Sequence, residues 1–205
     1  MKPHEIEKRS FEIIDAEAGS HDFLPPAWSI VRRMIHASAD FEYMKSVRMH
    51  PRAIEAGVEA IRQGRTIFCD TNMLRTGIRS GDLEKFGATA QSLMADSQIA
   101  RTASQSGATR AKVAVDAVAD QMAGGIYAVG NAPTALLRLI ELIERGRARP
   151  AMVIGLPVGF VNAAESKAAL LSVDVPYITN VGRKGGSNVA ASVVNALIIL
   201  AGQNG

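Results

Sequence analysis

Three times in its second half the chain runs from a short apolar segment through a glycine-punctuated turn into a helix-like stretch. The segments are IYAVGNAPTALL from Ile126, MVIGLPVGFVNAAESK from Met152 and YITNVGRKGGSNVAASVVNALI from Tyr177. Glycine lets the backbone turn sharply and approach a ligand closely, and a helix that follows points unpaired N–H groups at whatever sits there. One such turn is most simply a tight connection. Three in succession predict a parallel sheet with its site at one edge.

The rest of the chain fits that frame. Ile6, Ile13 and Ile14 recur at helical spacing, and Pro25 and Pro26 precede a helix bearing Trp28, Val31, Met34 and Ile35. Pro51 starts a third helix over residues 52–63, closed by Gly64. TIFCD, ending at Asp70, reads as a buried strand, and TNMLRTGI as a loop into a short helix. Residues 88–94 give a weak second strand. Two helices follow, over residues 96–106 and 109–122, broken at Gly107 and capped by Asp96 and Thr109. Strands alternating with helices predict a three-layer α/β/α fold: a mostly parallel, doubly wound sheet with the helical N-terminal segment packed on it. At 205 residues, with no linker or repeat, a single domain over residues 1–205 is expected.

Charge and composition narrow the function classes. The formal net charge is +3, and the densest basic stretch, Arg145, Arg147 and Arg149, sits at an apparent helix end where cations suit the dipole. Nucleic acid is therefore not an expected partner. Cys69 is the only cysteine, in an apolar run, so it reads as a small buried hydrophobe, with no disulfide and no cysteine metal cluster. MKPHEIEKRS lacks the apolar region of a signal peptide, and the apolar stretch 189–202 is too short to span a bilayer. A cytoplasmic protein without a membrane partner is expected.

The turns themselves predict an anion site. In GNAPTALLRLIELI, Asn131 is a candidate cap, Pro133 suits the first helical turn, and Leu136, Leu139, Ile140 and Ile143 form a buried face. In GRKGGSNVAASVVNALI, Gly185 and Gly186 precede Ser187 and Asn188, and Arg183 and Lys184 add positive charge. Such a nest of amides and side-chain donors suits a carboxylate or phosphate. It is not a Walker loop, since the lysine precedes the glycines, and GxGxxG is absent from all three turns.

Groups for acid–base chemistry are few. His4, His21 and His50 lie in polar or turn-like contexts and read as surface residues. His36 follows apolar Met34 and Ile35, with Arg32, Arg33 and Asp40 within a helical turn; pattern alone leaves a structural and a catalytic role equally open. Glu165, in NAAESK, is either a base or a helix N-terminal residue. No Ser-His-Asp set, carboxylate pair or metal-spaced histidine cluster stands out. On the residues alone, an enzyme acting on a phosphorylated small molecule and a non-enzymatic carrier both remain open.

Taken together, RSFEII, RRMIHASADF, CDTNMLRTGI, GNAPTALLRLIE, GLPVGFVNAAESK and GRKGGSNVAASVVNALI resemble the precorrin-8X methylmutase family of cobalamin biosynthesis, in order from about Glu7 to Leu200. The resemblance implies an isomerase that moves a methyl group from C-11 to C-12 of a corrin precursor. It places the catalytic histidine at His36, protonating or polarising a ring nitrogen, and substrate contacts at Ser10, Arg33, Arg110, Asn131, Gly185, Gly186 and Ser187. The segment Gly107-Ala108-Thr109-Arg110 departs from relatives that carry asparagine at the Ala108 position. No redox cofactor, methyl donor or protein-bound metal is implied, because the methyl already resides on the substrate and any cobalt arrives inside it. The implied partners are a corrinoid tetrapyrrole and a second copy of the chain, as a homodimer. IHASADF, DTNM and GRKGGSNVAA look closer to the branch that works on the cobalt complex.

Overall fold

The computed structural model describes residues 2–203. Two long helices open the chain, α1 (Pro3–Ala18) and α2 (Pro25–Ser38), followed by the single turn α3 (Tyr43–Ser46), strand β1 (Val47–Met49) and α4 (Ala53–Arg62). Strand β2 (Ile67–Cys69) leads through α5 (Asn72–Gly77) and α6 (Ser80–Glu84) to β3 (Ala90–Gln91), then α7 (Ser97–Ser106) and α8 (Arg110–Val118). Three strand–helix pairs complete the chain: β4 (Ile126–Val129) with α9 (Pro133–Glu144), β5 (Met152–Gly155) with α10 (Ala163–Leu170), and β6 (Tyr177–Asn180) with α11 (Ser187–Gly202).

The strands form one sheet in the order β1-β6-β5-β4-β2-β3. Every neighbouring pair is parallel except β1 with β6, where Val47 lies opposite Asn180. The chain goes outward from β2 to β3 and then returns past β2 to β4, so strand order reverses between β2 and β4. In open α/β sheets the crevice at the carboxyl ends of the strands beside such a reversal is where ligands bind.

Strands β2, β4 and β5 are buried along their length, as a sheet covered on both faces requires. One face carries a core built from Ile30, Met34, Ile61, Leu74, Val193 and Leu197, which brings α2, α4, α5 and α11 together with Ile14 of α1. The other face carries Val115, Leu136, Leu139 and Leu170, from α8, α9 and α10. The three-layer, mostly parallel, doubly wound arrangement with the N-terminal helices packed on the sheet is therefore what the sequence predicts.

Details differ, each for a local reason. Strand β1 is absent from the sequence reading because three residues with only Val47 buried leave no periodic signal. The weak strand at residues 88–94 shrinks to Ala90–Gln91, and the helix expected to reach Met122 ends at Val118, passing into a 3-10 turn over Ala119–Gln121. Asp96 and Thr109 cap α7 and α8 as expected: Asp96 accepts from Gln98 N (2.7 Å) and Thr109 from Lys112 N (3.2 Å). Asn131 does not cap α9. The capping position is Ala132, whose methyl accepts no hydrogen bond, and the acceptor comes from a distant strand, as described below.

Candidate active site

Asp70, directly after β2 at the point where strand order reverses, is 2% exposed. Its carboxylate accepts hydrogen bonds from Gly130 N (2.9 Å), Asn131 N (2.8 Å) and Ala132 N (2.8 Å). A carboxylate at the α9 N-terminus supplies what a side-chain cap would and also matches the helix dipole. Burial pushes the Asp70 carboxyl above its ordinary value, and the three amides oppose that shift.

Thr71 continues the bracing. Its hydroxyl accepts from Leu74 N (3.1 Å), capping α5, and hydrogen-bonds to the Ser187 hydroxyl (2.9 Å). The turn after β4 meets the turn after β6 directly: a Cβ on Gly130 would lie 2.6 Å from Ser187 Cα, so only glycine permits the approach. Gly186 N donates to Leu156 O (2.9 Å), and a Cβ on Gly185 would collide with the carbonyls of Leu156 and Pro157. The ends of four strands are thus knitted into one rim, and the expected nest at Gly185, Gly186 and Ser187 spends part of its donor capacity inside the protein.

That rim reaches the end of α2. Asn188 Nδ2 donates to Ala37 O (3.0 Å), and Lys184 Nζ lies 2.6 Å from Asp40 Oδ2 and 2.7 Å from Glu42 Oε2. The Asp40 and Glu42 carboxylates push the Lys184 ammonium above its ordinary range, and Lys184 holds the Asp40 carboxyl below its own.

His36 lies in the last turn of α2 with its side chain exposed. Its ring meets the edge of Phe11 at 5.1 Å between centroids, while the Arg32 and Arg33 guanidiniums sit 4.5 and 5.0 Å over the same Phe11 ring. Arg33 also pairs with Glu7 (3.1 Å). Two hollows flank His36. One, of about 320 Å³, is shared with Ser10, Ile14, Ala39 and Phe41; the other, of about 280 Å³, with Arg33, Gly77, Asn188 and Asn195.

The residues expected from the resemblance thus fall into groups. Ser10, Arg33 and His36 line the paired hollows between α1, α2 and α11. Asn131 and the Gly185, Gly186 and Ser187 turn meet on the rim. Arg110, exposed at the first position of α8, is tied to the rim through Thr109, whose hydroxyl lies 3.1 Å from that of Thr134 in α9. Neither of the paired hollows holds all of them, and the Asn188–Ala37 bond links the two main groups.

Other candidates resolve more simply. Glu165 is exposed in the first turn of α10, where an acidic side chain suits the helix dipole. Cys69 is buried, and burial pushes its thiol far above the ordinary range. Of the histidines read as surface residues, His4 is exposed, but His21 is half-buried 4.0 Å from the Trp28 ring and His50 is half-buried against Tyr177. Among the described residues, no group of three or more His, Cys, Asp or Glu side chains is placed to hold a metal ion. Among the described residues, no helix is long and apolar enough to cross a membrane.

One feature beside His36 carries backbone strain. Ala39, which ends α2, has φ 53°, a left-handed conformation that costs a non-glycine residue about 1–2 kcal/mol. Set against the entropy glycine loses on ordering, Ala39→Gly is expected to stabilise the fold by roughly 0.5–1 kcal/mol, read as a higher urea midpoint at unchanged slope.

The profile of the family described as Precorrin-8X methylmutase matches residues 5–200. The chain is 47% identical to the cobalt-precorrin-8 methylmutase of Priestia megaterium over 201 residues, 98% of this chain and 89% of that protein. It is 37% identical to the precorrin-8X methylmutase of Pseudomonas aeruginosa over 194 residues, 94% of this chain and 93% of that protein. Among solved structures, the precorrin-8X methyl mutase of Thermus thermophilus superposes with a TM-score of 0.91 at 46% identity, covering 97% of this chain and 96% of that one. With the family model matching residues 5–200 and the fold superposing over 97% of the chain, the protein belongs to the precorrin-8X methylmutase family.

Proposed function

We propose that His36 is the general acid of a corrin-ring methylmutase. The chain is an intramolecular isomerase of cobalamin biosynthesis, moving a methyl group from C-11 to C-12 of precorrin-8X or cobalt-precorrin-8. The C-11–methyl bond breaks as the C-12–methyl bond forms, so no methyl donor or redox partner is required. A proton delivered to, or shared with, a ring nitrogen draws electrons from the conjugated system and lowers the barrier to the shift. Imidazole is the side chain best suited to that exchange near neutral pH. The observation that carries this role is the exposed His36 ring standing between two hollows also lined by Ser10 and Arg33.

A corrin precursor carries acetate and propionate groups around its rim. Arg33 and Arg110 offer guanidiniums to those carboxylates, the exposed Asn131 offers its side-chain amide, its backbone N–H being held by Asp70, and the N-terminus of α11 at Gly185, Gly186 and Ser187 offers its backbone dipole. We assign these residues, with Ser10, as the substrate contacts. We further propose the cobalt complex as the preferred substrate; identity is 47% to the cobalt-precorrin-8 enzyme of Priestia megaterium against 37% to the precorrin-8X enzyme of Pseudomonas aeruginosa. The cobalt then travels as part of the substrate. The single buried cysteine fits a cytoplasmic setting.

Homodimer formation belongs to the same proposal. Val158, Phe160 and Val161 are exposed in the turn after β5, with Phe160 83% exposed, and leave apolar surface for a second copy. Sedimentation velocity is expected to give twice the chain mass, and a monomer at micromolar concentration would exclude it.

Mixing the protein with the precursor and following the visible spectrum tests the activity. Growth of the extended corrin chromophore is the expected result. Binding with an unchanged spectrum would identify a carrier instead.

A further inference from the structure

Lys167, in the middle of α10, is 1% exposed, and its acceptors are Asn180 Oδ1 (3.0 Å) and the Lys184 carbonyl (2.5 Å) rather than a carboxylate. Burial pushes its ammonium down to about 8. A buried charge is costly unless it is paired or well hydrogen-bonded. What these bonds hold is the turn between β6 and α11. Asn180 Nδ2 closes the bracket by donating to the same Lys184 carbonyl (3.0 Å) and to Val181 O (3.2 Å).

The far side of that turn is fastened to the helix that carries His36. The Lys184 side chain reaches Asp40 and Glu42, just beyond the end of α2, and Asn188 holds Ala37 O, the residue after His36. Exposed ion pairs of this kind contribute little when the chain carrying them swings freely. They fix a partner only when their own backbone is anchored, and Lys167, together with the Asn180 amide it holds, anchors Lys184 from beneath. We infer that Lys167 is a positioning residue for His36, acting through the Lys184 carbonyl and the Lys184 links to Asp40 and Glu42.

The inference rests on His36 being the catalytic acid, so its test has one readout tied to turnover and one that is not. Lys167→Met removes the donor at similar volume, Lys184→Met cuts the outer link, and the double variant combines them. Displacement of a catalytic group by about 1 Å costs on the order of 100-fold in rate, so Lys167→Met should lower kcat at least 10-fold with KM changed by less than about threefold. If the two lysines act in series, the double variant should be no slower than about twice the slower single variant. Independently of turnover, hydrogen exchange of peptides over residues 36–42 should accelerate in Lys167→Met, while those over β4 and α9 should not.

Unchanged exchange at residues 36–42, an unchanged kcat, or fully additive losses would overturn the inference. A wild-type protein that converts no precursor would refute the methylmutase reading instead, and the exchange result would still decide whether Lys167 positions the end of α2. Should Lys167→Met fail to fold, Lys167→Gln, which keeps a polar donor in the pocket, carries the same measurements.

Discussion

His36→Ala is expected to lower kcat by about 10²–10⁴-fold, the range a positioned proton donor contributes, while precursor affinity stays within a few-fold. The reason lies in the division of labour across the site. The carboxylates of the substrate are assigned to Arg33, Arg110, the Asn131 side chain and the N-terminus of α11 on the rim, none of which depends on the imidazole. His36 stands at the edge of Phe11, whose ring also lies beneath the two neighbouring guanidiniums, so removing the imidazole leaves that cluster intact. Stopped-flow binding and single-turnover assays separate the two effects. A variant that turns over normally removes His36 from the chemistry; one that no longer binds makes it a substrate contact.

Asp70→Ala is expected to have the largest effect on stability. It leaves the amides of Gly130, Asn131 and Ala132 without their acceptor, and an unsatisfied buried donor costs about 1–3 kcal/mol. Gly130 is buried whereas Asn131 is exposed, so water replaces part of the loss and about 3 kcal/mol in total is a fair expectation. For a chain of this size that corresponds to a fall of roughly 6–12 °C in Tm. Asp70→Asn keeps one acceptor oxygen and should lose less. Calorimetry on the two variants checks both the size and the order. A change below about 0.5 kcal/mol in Asp70→Ala would mean that the α9 N-terminus is satisfied by other means.

Much of the fold is legible in the chain because its signals are local. A glycine turn between an apolar run and a helix lies within one short window, and three of them specify a parallel sheet before any contact is known. Capping by Asp96 and Thr109 is equally local. What escapes is set by pairs far apart in sequence. The acceptor for the α9 N-terminus lies 60 residues upstream of Gly130, which is why Asn131, the nearest polar side chain, looks like the cap. Asn188 and Ala37 are 151 residues apart, and Lys184 and Asp40 are 144 apart, so the tie between the rim and the end of α2 leaves no trace in any short window.

Lys167 is hidden for a related reason. Nothing in AAESKAAL marks it out, and its burial follows from the placement of β6 beneath α10. The role of His36 came from resemblance to a family, not from pattern, because a histidine after two buried apolar residues is equally compatible with packing. The exposure of its ring, between hollows shared with Ser10 and Arg33, is what the folded chain adds.

The most direct test of the account follows the methyl group itself. A precursor carrying a ¹³C-labelled methyl at C-11 is incubated with the wild-type protein and read by NMR. The account predicts that the label appears wholly on C-12 of the product, with no exchange into solvent or onto the protein. A label that stays at C-11, or that leaves the ring, would contradict it.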